Sequence, residues 1–275
     1  MNGCCLKPLL AILLLFLCHH PVFASGEFRY ETTTDSTARV AEGVETIPPY
    51  AFADQCGLKR VILPEGMKEI GEYAFLGCTA LTHIELPESL QIIGEGAFRE
   101  CSSLRSLHIP DGVKVVPRYM CAWDSSLVSV DLPDDLEDIG SHAFAYCSSL
   151  QSIKIPNKVT HIGSNVFSSC MALREIKVPD SVTELESYAF SDCVSLEEVT
   201  LPANPSMLGE LMLSGCESIT KLTCMSEEPP TFDCNSELFD ASQMWLYRQC
   251  RLVVPQSSLP LYREAHCWRN FFDMK

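Results

Sequence analysis

Apolar and polar positions alternate along this chain on a beat of 23 residues. Prolines that follow an apolar residue mark it most clearly, at Pro64, Pro87, Pro110, Pro133, Pro156, Pro179 and Pro202. Phe52, Phe75, Phe98, Phe144, Phe167 and Phe190 keep the same step across one substituted repeat, as do Leu58, Leu81, Leu104, Leu127, Leu150, Leu173 and Leu196. One unit reads Leu81-x-x-Ile84-x-Leu86-Pro87-x-x-Leu90-x-x-Ile93-Gly94-x-x-Ala97-Phe98-x-x-Cys101. Ile84 and Leu86 are two residues apart and so share one face of a short strand. Pro87 has no N–H for a ladder and ends that strand. Gly94 is expected to let the backbone turn, and Ala97-Phe98 to return a ring to the core. A single unit cannot bury these groups, whereas turns stacked about 4.8 Å apart bury them continuously. An unbroken period of this length predicts an elongated stack of turns over residues 44–224.

The ends depart from the beat. Residues 25–43 are expected to form a β-hairpin cap, with its strands around Phe28 to Val40. Residues 225–275 are expected to form a C-terminal cap, in which Leu252-Val253-Val254 adds a strand. A terminal helix follows, started by Ser257 or Ser258, with Pro260 in its first turn. Leu261 or Tyr262, Ala265, Trp268 and Phe272 fall on one apolar face of that helix. Residues 1–24 read as a signal peptide: Lys7, then an apolar run from Leu9 to Leu17, then Val22-Phe23-Ala24 before the expected cut. That run is too short to span a bilayer, and no second one follows. The expected location is therefore secreted, cell-surface or periplasmic, without a membrane span.

At 47% hydrophobic residues, disorder is excluded. The formal charge is −16; Lys7 is the one charged residue of the first 24, so its removal takes this to −17. Such a charge disfavours nucleic acid and anionic lipid.

The pattern L-P-x-x-[apolar]-x-x-I-G-x-x-A-F-x-x-C-x-x-L resembles the BspA-like family of bacterial surface leucine-rich repeats, over nearly the whole chain after residue 24. The resemblance implies an α/β repeat solenoid: a right-handed leucine-rich-repeat superhelix with 23-residue turns and a parallel sheet on the concave face. It also implies surface binding, with some members adhering to host matrix proteins.

Cys78, Cys101, Cys147, Cys170, Cys193 and Cys216 hold one repeat position, three residues before a strand leucine, and are expected to form a buried ladder of thiols. Cys56 is one residue off register. Cys224, Cys234, Cys250 and Cys267 do not follow the beat, and no pairing is assigned to them. The fourth turn is irregular: Cys121 stands at the Phe position, Asp124 at the Cys position, Trp123 between them, and Pro117 where Gly is usual. It reads either as repacking, with Trp123 filling space, or as a local binding feature.

In L-x-x-I-x-L the residues flanking the Ile line the exposed face of the sheet. That face is polar and mixed in sign, and places Glu85, His108, Asp131 and Lys154 on successive turns, with His83 and the Ser106, Ser129, Ser152 stripe beside them. His83, Glu85, His108, Asp131 and Lys154 are the expected ligand-binding residues, suited to a protein or a glycan, host extracellular matrix included. Asp138, His161 and Glu184 form a second stack. No catalytic residue, metal site or cofactor is assigned: nucleophile-elbow, zinc-protease and phosphate-loop motifs are missing, as is any C-x-x-C pair. The expected function is a monomeric, non-enzymatic binding module for adhesion, the alternative being a structural envelope component without a specific ligand.

Overall fold

The computed structural model describes residues 28–232, 238–239 and 241–275. The expected signal peptide and Cys234 lie outside the described residues. The chain opens with an antiparallel hairpin of β1 (Tyr30–Thr32) and β2 (Thr37–Val40). Eight turns follow, each contributing up to two short strands. They are β3 (Thr46–Ile47) and β4 (Arg60–Ile62), β5 (Glu69–Ile70) and β6 (His83–Ile84), β7 (Ile92–Ile93) and β8 (Ser106–His108), then β9 (Val115–Val116) and β10 (Ser129–Asp131). Turn five has β11 (Asp138–Ile139) alone. Turns six to eight hold β12 (His161–Ile162) and β13 (Glu175–Lys177), β14 (Glu184–Leu185) and β15 (Glu198–Leu201), and β16 (Met207–Leu208) and β17 (Lys221–Cys224). No helix occurs among the described residues of the repeats; the third side of each turn is a chain of tight turns.

Pairing is parallel between successive turns, in the 23-residue register. The L-x-x-I-x-L strands pair as β2-β4-β6, as β8-β10 and as β13-β15-β17. This first sheet is thus interrupted between turns two and three, and again at turn five, where residues 150–155 form no strand although the motif is present. The second sheet pairs as β3-β5-β7 and as β9-β11-β12-β14-β16, with its interruption between turns three and four. The third side carries its own ladder of backbone bonds, one turn to the next: Phe75 N–H to the Ala97 carbonyl, Phe98 to Met120, Cys121 to Ala143, Phe144 to Val166, Phe167 to Ala189 and Phe190 to Met212, at 2.8–3.0 Å.

One apolar column runs through the stack. Phe52, Phe75 and Phe98 stack face to face at centroid distances of 5.1 and 5.4 Å, and Phe144, Phe167 and Phe190 at 5.6 and 5.9 Å. Gly94 is needed for a reason other than turning, since its φ is not positive. A Cβ there would come 2.4 Å from the Glu72 backbone nitrogen, so glycine permits close approach of the previous turn.

At the C-terminal end, β18 (Arg251–Val253) and β19 (Asp273–Met274) extend the first sheet in parallel beyond β17. Helix α1 spans Leu246–Gln249 and α2 spans Leu259–Glu264. The expected helical face through Phe272 is corrected. The helix ends where Ala265 turns to extended backbone (ψ 141°), and after Cys267, at φ 67°, the chain resumes as a 3-10 turn at Trp268–Asn270. Tyr262 and Trp268 are buried as expected, but the break shifts the phase, so Phe271 is buried and Phe272 is 76% exposed. The buried rings are also tied: Trp268 Nε1 donates to the Pro230 carbonyl at 2.8 Å and the Tyr262 hydroxyl to the Ser226 carbonyl at 3.0 Å.

Candidate binding surface

The exposed face of the first sheet carries the expected row. His83, Glu85, His108, Asp131 and Lys154 all project into solvent. Within the row, paired strands join His108 and Asp131: the two are register partners in β8 and β10, with His108 Nδ1 3.8 Å from Asp131 Oδ2. The second carboxylate beside His108 is Glu88, at 3.9 Å from Nε2, rather than Glu85. Glu85 instead meets His83 on its own turn, at 3.1 Å, because residues two apart on a strand share a face. Lys154 lies on the strandless part of turn five and reaches back to Asp134 at 3.5 Å. The five residues therefore form three neighbouring groups: the first interruption of the first sheet separates the first two, and Lys154 lies in the second.

Two depressions flank this row. One of about 320 Å³ is lined by Arg60, Glu65, His83, Glu85 and Glu88. The other, of about 860 Å³, lies at turns five to seven and is lined by Gln151, Ser152, Arg174, Glu175, Glu197 and Glu198. Sequence reading missed this second hollow, whose lining side chains come from three successive turns.

The stack of Asp138 and His161 is real, but its third member differs. His161 Nδ1 lies 2.8 Å from Asp138 Oδ2, and Nε2 lies 3.1 Å from Glu186 Oε1; Glu184 is the register partner of His161 and carries no bond to it. Glu186 stands where most turns have the close-approach glycine, and its other oxygen accepts from the Ser164 N–H at 2.7 Å and hydroxyl at 2.8 Å. The glycine-to-Glu change at residue 186 was the signal in the sequence. Partial burial works against the charged imidazole, but the bonds to Glu186 and Asp138 outweigh it and raise the His161 pKa above its ordinary value. Burial likewise pushes against the Glu186 carboxylate, and the bonds from Ser164 and His161 outweigh it, lowering that pKa. Among the described residues no group of three or more His, Cys, Asp or Glu is arranged to hold a metal ion.

The ladder cysteines are free thiols, and each donates to the carbonyl 26 residues earlier: Cys78 to Phe52, Cys101 to Phe75, Cys147 to Cys121, Cys170 to Phe144, Cys193 to Phe167 and Cys216 to Phe190, at 3.1–3.3 Å. Burial pushes their pKa values up, which disfavours the thiolate, the reactive form. In turn four the filler expected to be Trp123 is Met120. Met120 is fully buried where most turns carry Ala, and so offsets the small Cys121. Trp123 lies outside, stacked on Tyr146 at 4.9 Å, with the Arg99 guanidinium 4.6 Å from its ring. Asp124 is fully buried at the thiol position.

A family model described as the BspA type leucine-rich repeat region matches residues 25–148 and 114–242, with six copies. The chain belongs to the BspA type leucine-rich repeat family. Repeats of this family are typically non-enzymatic binding scaffolds of bacterial surface proteins. Among solved structures, the chain is similar to a leucine-rich repeat protein of T. pallidum, with 26% identity over 90% of this chain and 95% of that one, at a TM-score of 0.45. It is also similar to a leucine-rich cell surface protein of Faecalibacterium prausnitzii (21% identity, 93% and 95% covered, TM-score 0.40). A third is the pneumococcal vaccine antigen PcpA (17%, 87% and 78%, TM-score 0.42). No curated protein matches. No helix among the described residues is long and apolar enough to cross a membrane.

Proposed function

We propose that this BspA type protein is a monomeric adhesion module, secreted, periplasmic or displayed at the cell surface, that holds a polar protein or glycan on the exposed face of its first sheet. Host extracellular matrix is the first partner to test. The observation that carries this reading is the row His83, Glu85, His108, Asp131 and Lys154: donors, acceptors and two imidazoles on a polar face, backed by a rigid apolar column and flanked by two hollows. His83, His108 and Asp131 stand on strands and so lose little freedom when a ligand docks, which spares binding energy for contact.

The test is a variant with Glu85, His108, Asp131 and Lys154 all changed to alanine, compared with the wild type on arrays of extracellular-matrix proteins and glycans at low and physiological ionic strength. All four side chains are exposed, so the fold is retained with a small loss of stability. A partner that binds wild type and loses at least tenfold with the variant supports the proposal. A partner held equally by both places its binding elsewhere.

A further inference from the structure

On its third side each turn places one residue two before the Phe position and one two after it, both on left-handed backbone. Turns four and five are the ones that place rings at both positions: Tyr119 and Trp123, then His142 and Tyr146, with φ from 57° to 68°. Bulky residues seldom adopt this conformation, and in neighbouring turns Asn165, Ser169, Gly96 and Glu100 fill the same two positions. The four rings form two adjacent stacks along the axis, Tyr119 on His142 at 4.7 Å and Trp123 on Tyr146 at 4.9 Å. Arg99 closes both stacks at the turn-three end, 5.6 Å from the Tyr119 ring and 4.6 Å from Trp123. At the other end nothing aromatic follows, because turn six offers Asn165 and Ser169. The stacks thus end at turn five on His142, which is half-buried, and on Tyr146, which is 44% exposed.

The charge at this place is opposite to that of the molecule. Arg118 is exposed, lies over Tyr119 at 5.7 Å, and has no acidic partner within ion-pair distance among the described residues. Arg99 is paired with Glu100 at 3.3 Å. Burial first, and the charge of Arg118 second, push the His142 pKa below its ordinary value, so this imidazole stacks as a neutral ring and the guanidinium groups supply the charge.

We infer that the Tyr119, Trp123, His142 and Tyr146 stacks with Arg118 form a second binding site, for a carboxylate-bearing carbohydrate such as a uronic or sialic acid unit. A pyranose presents a flat face of polarised C–H bonds, which suits the electron-rich face of the terminal ring. Its carboxylate suits a guanidinium, which accommodates both oxygens at once. The site is on a different face from the row on the first sheet and does not depend on it.

The experiment titrates the full protein with three probes, hyaluronan hexasaccharide, trigalacturonate and 3′-sialyllactose, reading tryptophan fluorescence and calorimetry; lactose and a glutamate hexapeptide serve as controls. At least one acidic sugar is expected to bind in the millimolar range or tighter and lactose much more weakly. Tyr146→Ala is expected to weaken binding about tenfold, roughly 1.4 kcal/mol. Arg118→Gln is expected to abolish the preference for acidic over neutral sugar. The first-sheet quadruple variant is expected to bind as wild type. Both single variants lie on the surface, and their unfolding curves confirm the fold. Absence of binding by every acidic sugar at millimolar concentration overturns the inference, as does binding insensitive to both substitutions or equal binding of the glutamate peptide.

Discussion

A carboxyl group enclosed among apolar side chains is costly while it is charged and cheap while it is neutral. Asp124 is such a group: it is 0% exposed, and neither of its oxygens has a hydrogen-bond donor at normal geometry among the described residues. Burial raises its pKa well above 3.8, and the nearby Cys101 N–H and Cys121 thiol offset only part of this. By register, its place in the series of thiol bonds is the one that faces the Phe98 carbonyl. The native state therefore binds a proton that the unfolded state releases above about pH 4, and stability falls with rising pH by about 1.4 kcal/mol per unit until the raised native pKa is reached. Asp124→Cys restores the ladder and removes this dependence. Urea unfolding is expected to show the variant more stable than wild type at about pH 8, with the difference shrinking toward about pH 4; a difference independent of pH would contradict a neutral Asp124. That residue 124 is a core position was legible from the beat, since six other turns place Cys there. The position of Trp123 was not, because left-handed backbone beside a corner turns a side chain outward, and hydrophobicity alone does not report that sign of φ.

The repeating elements were legible because each inward position is occupied many times by the same kind of residue, so one irregular turn does not obscure the rule. Whether a given L-x-x-I-x-L forms hydrogen bonds was not. Turn five keeps Leu150, Ile153 and Ile155 facing the core, all buried, yet lacks a strand. Apolar period specifies which side chains point inward, whereas pairing depends on how neighbouring backbones align. The same distinction explains why the five candidate residues share one exposed face but fall into three groups. For the thiol column the expectation is concrete. Cys101, Cys147, Cys170, Cys193 and Cys216 are almost wholly enclosed, so an alkylating reagent reaches them only on unfolding. Mass spectrometry after labelling native and denatured protein is expected to show these five modified only in the denatured sample. Labelling of any of them in the folded protein, or disulfide linkage among them, counts against the ladder.

At the scale of the molecule, the interruptions of the two sheets are staggered. The first sheet is open between turns two and three, where β5 and β7 of the second sheet are paired; the second is open between turns three and four, where β8 and β10 of the first are paired. Turn five, open on the first sheet, is bridged by β11 and β12, and the third-side ladder crosses every one of these joins. Bricklayers offset their joints for the same reason: a crack that starts in one course meets solid material in the next. Pulled along its axis, the array is expected to yield from an end, shedding one turn at a time, rather than to snap at a gap. Peeling one 23-residue turn frees about 80 Å of extended chain, at roughly 3.3–3.6 Å per residue. Optical tweezers attached at the two caps should then record lengthening in steps of about that size or small multiples of it. A single early rupture dividing the array at turn three or turn five would show that the joints act alone, and that the offset gives the fibre no resistance to tearing.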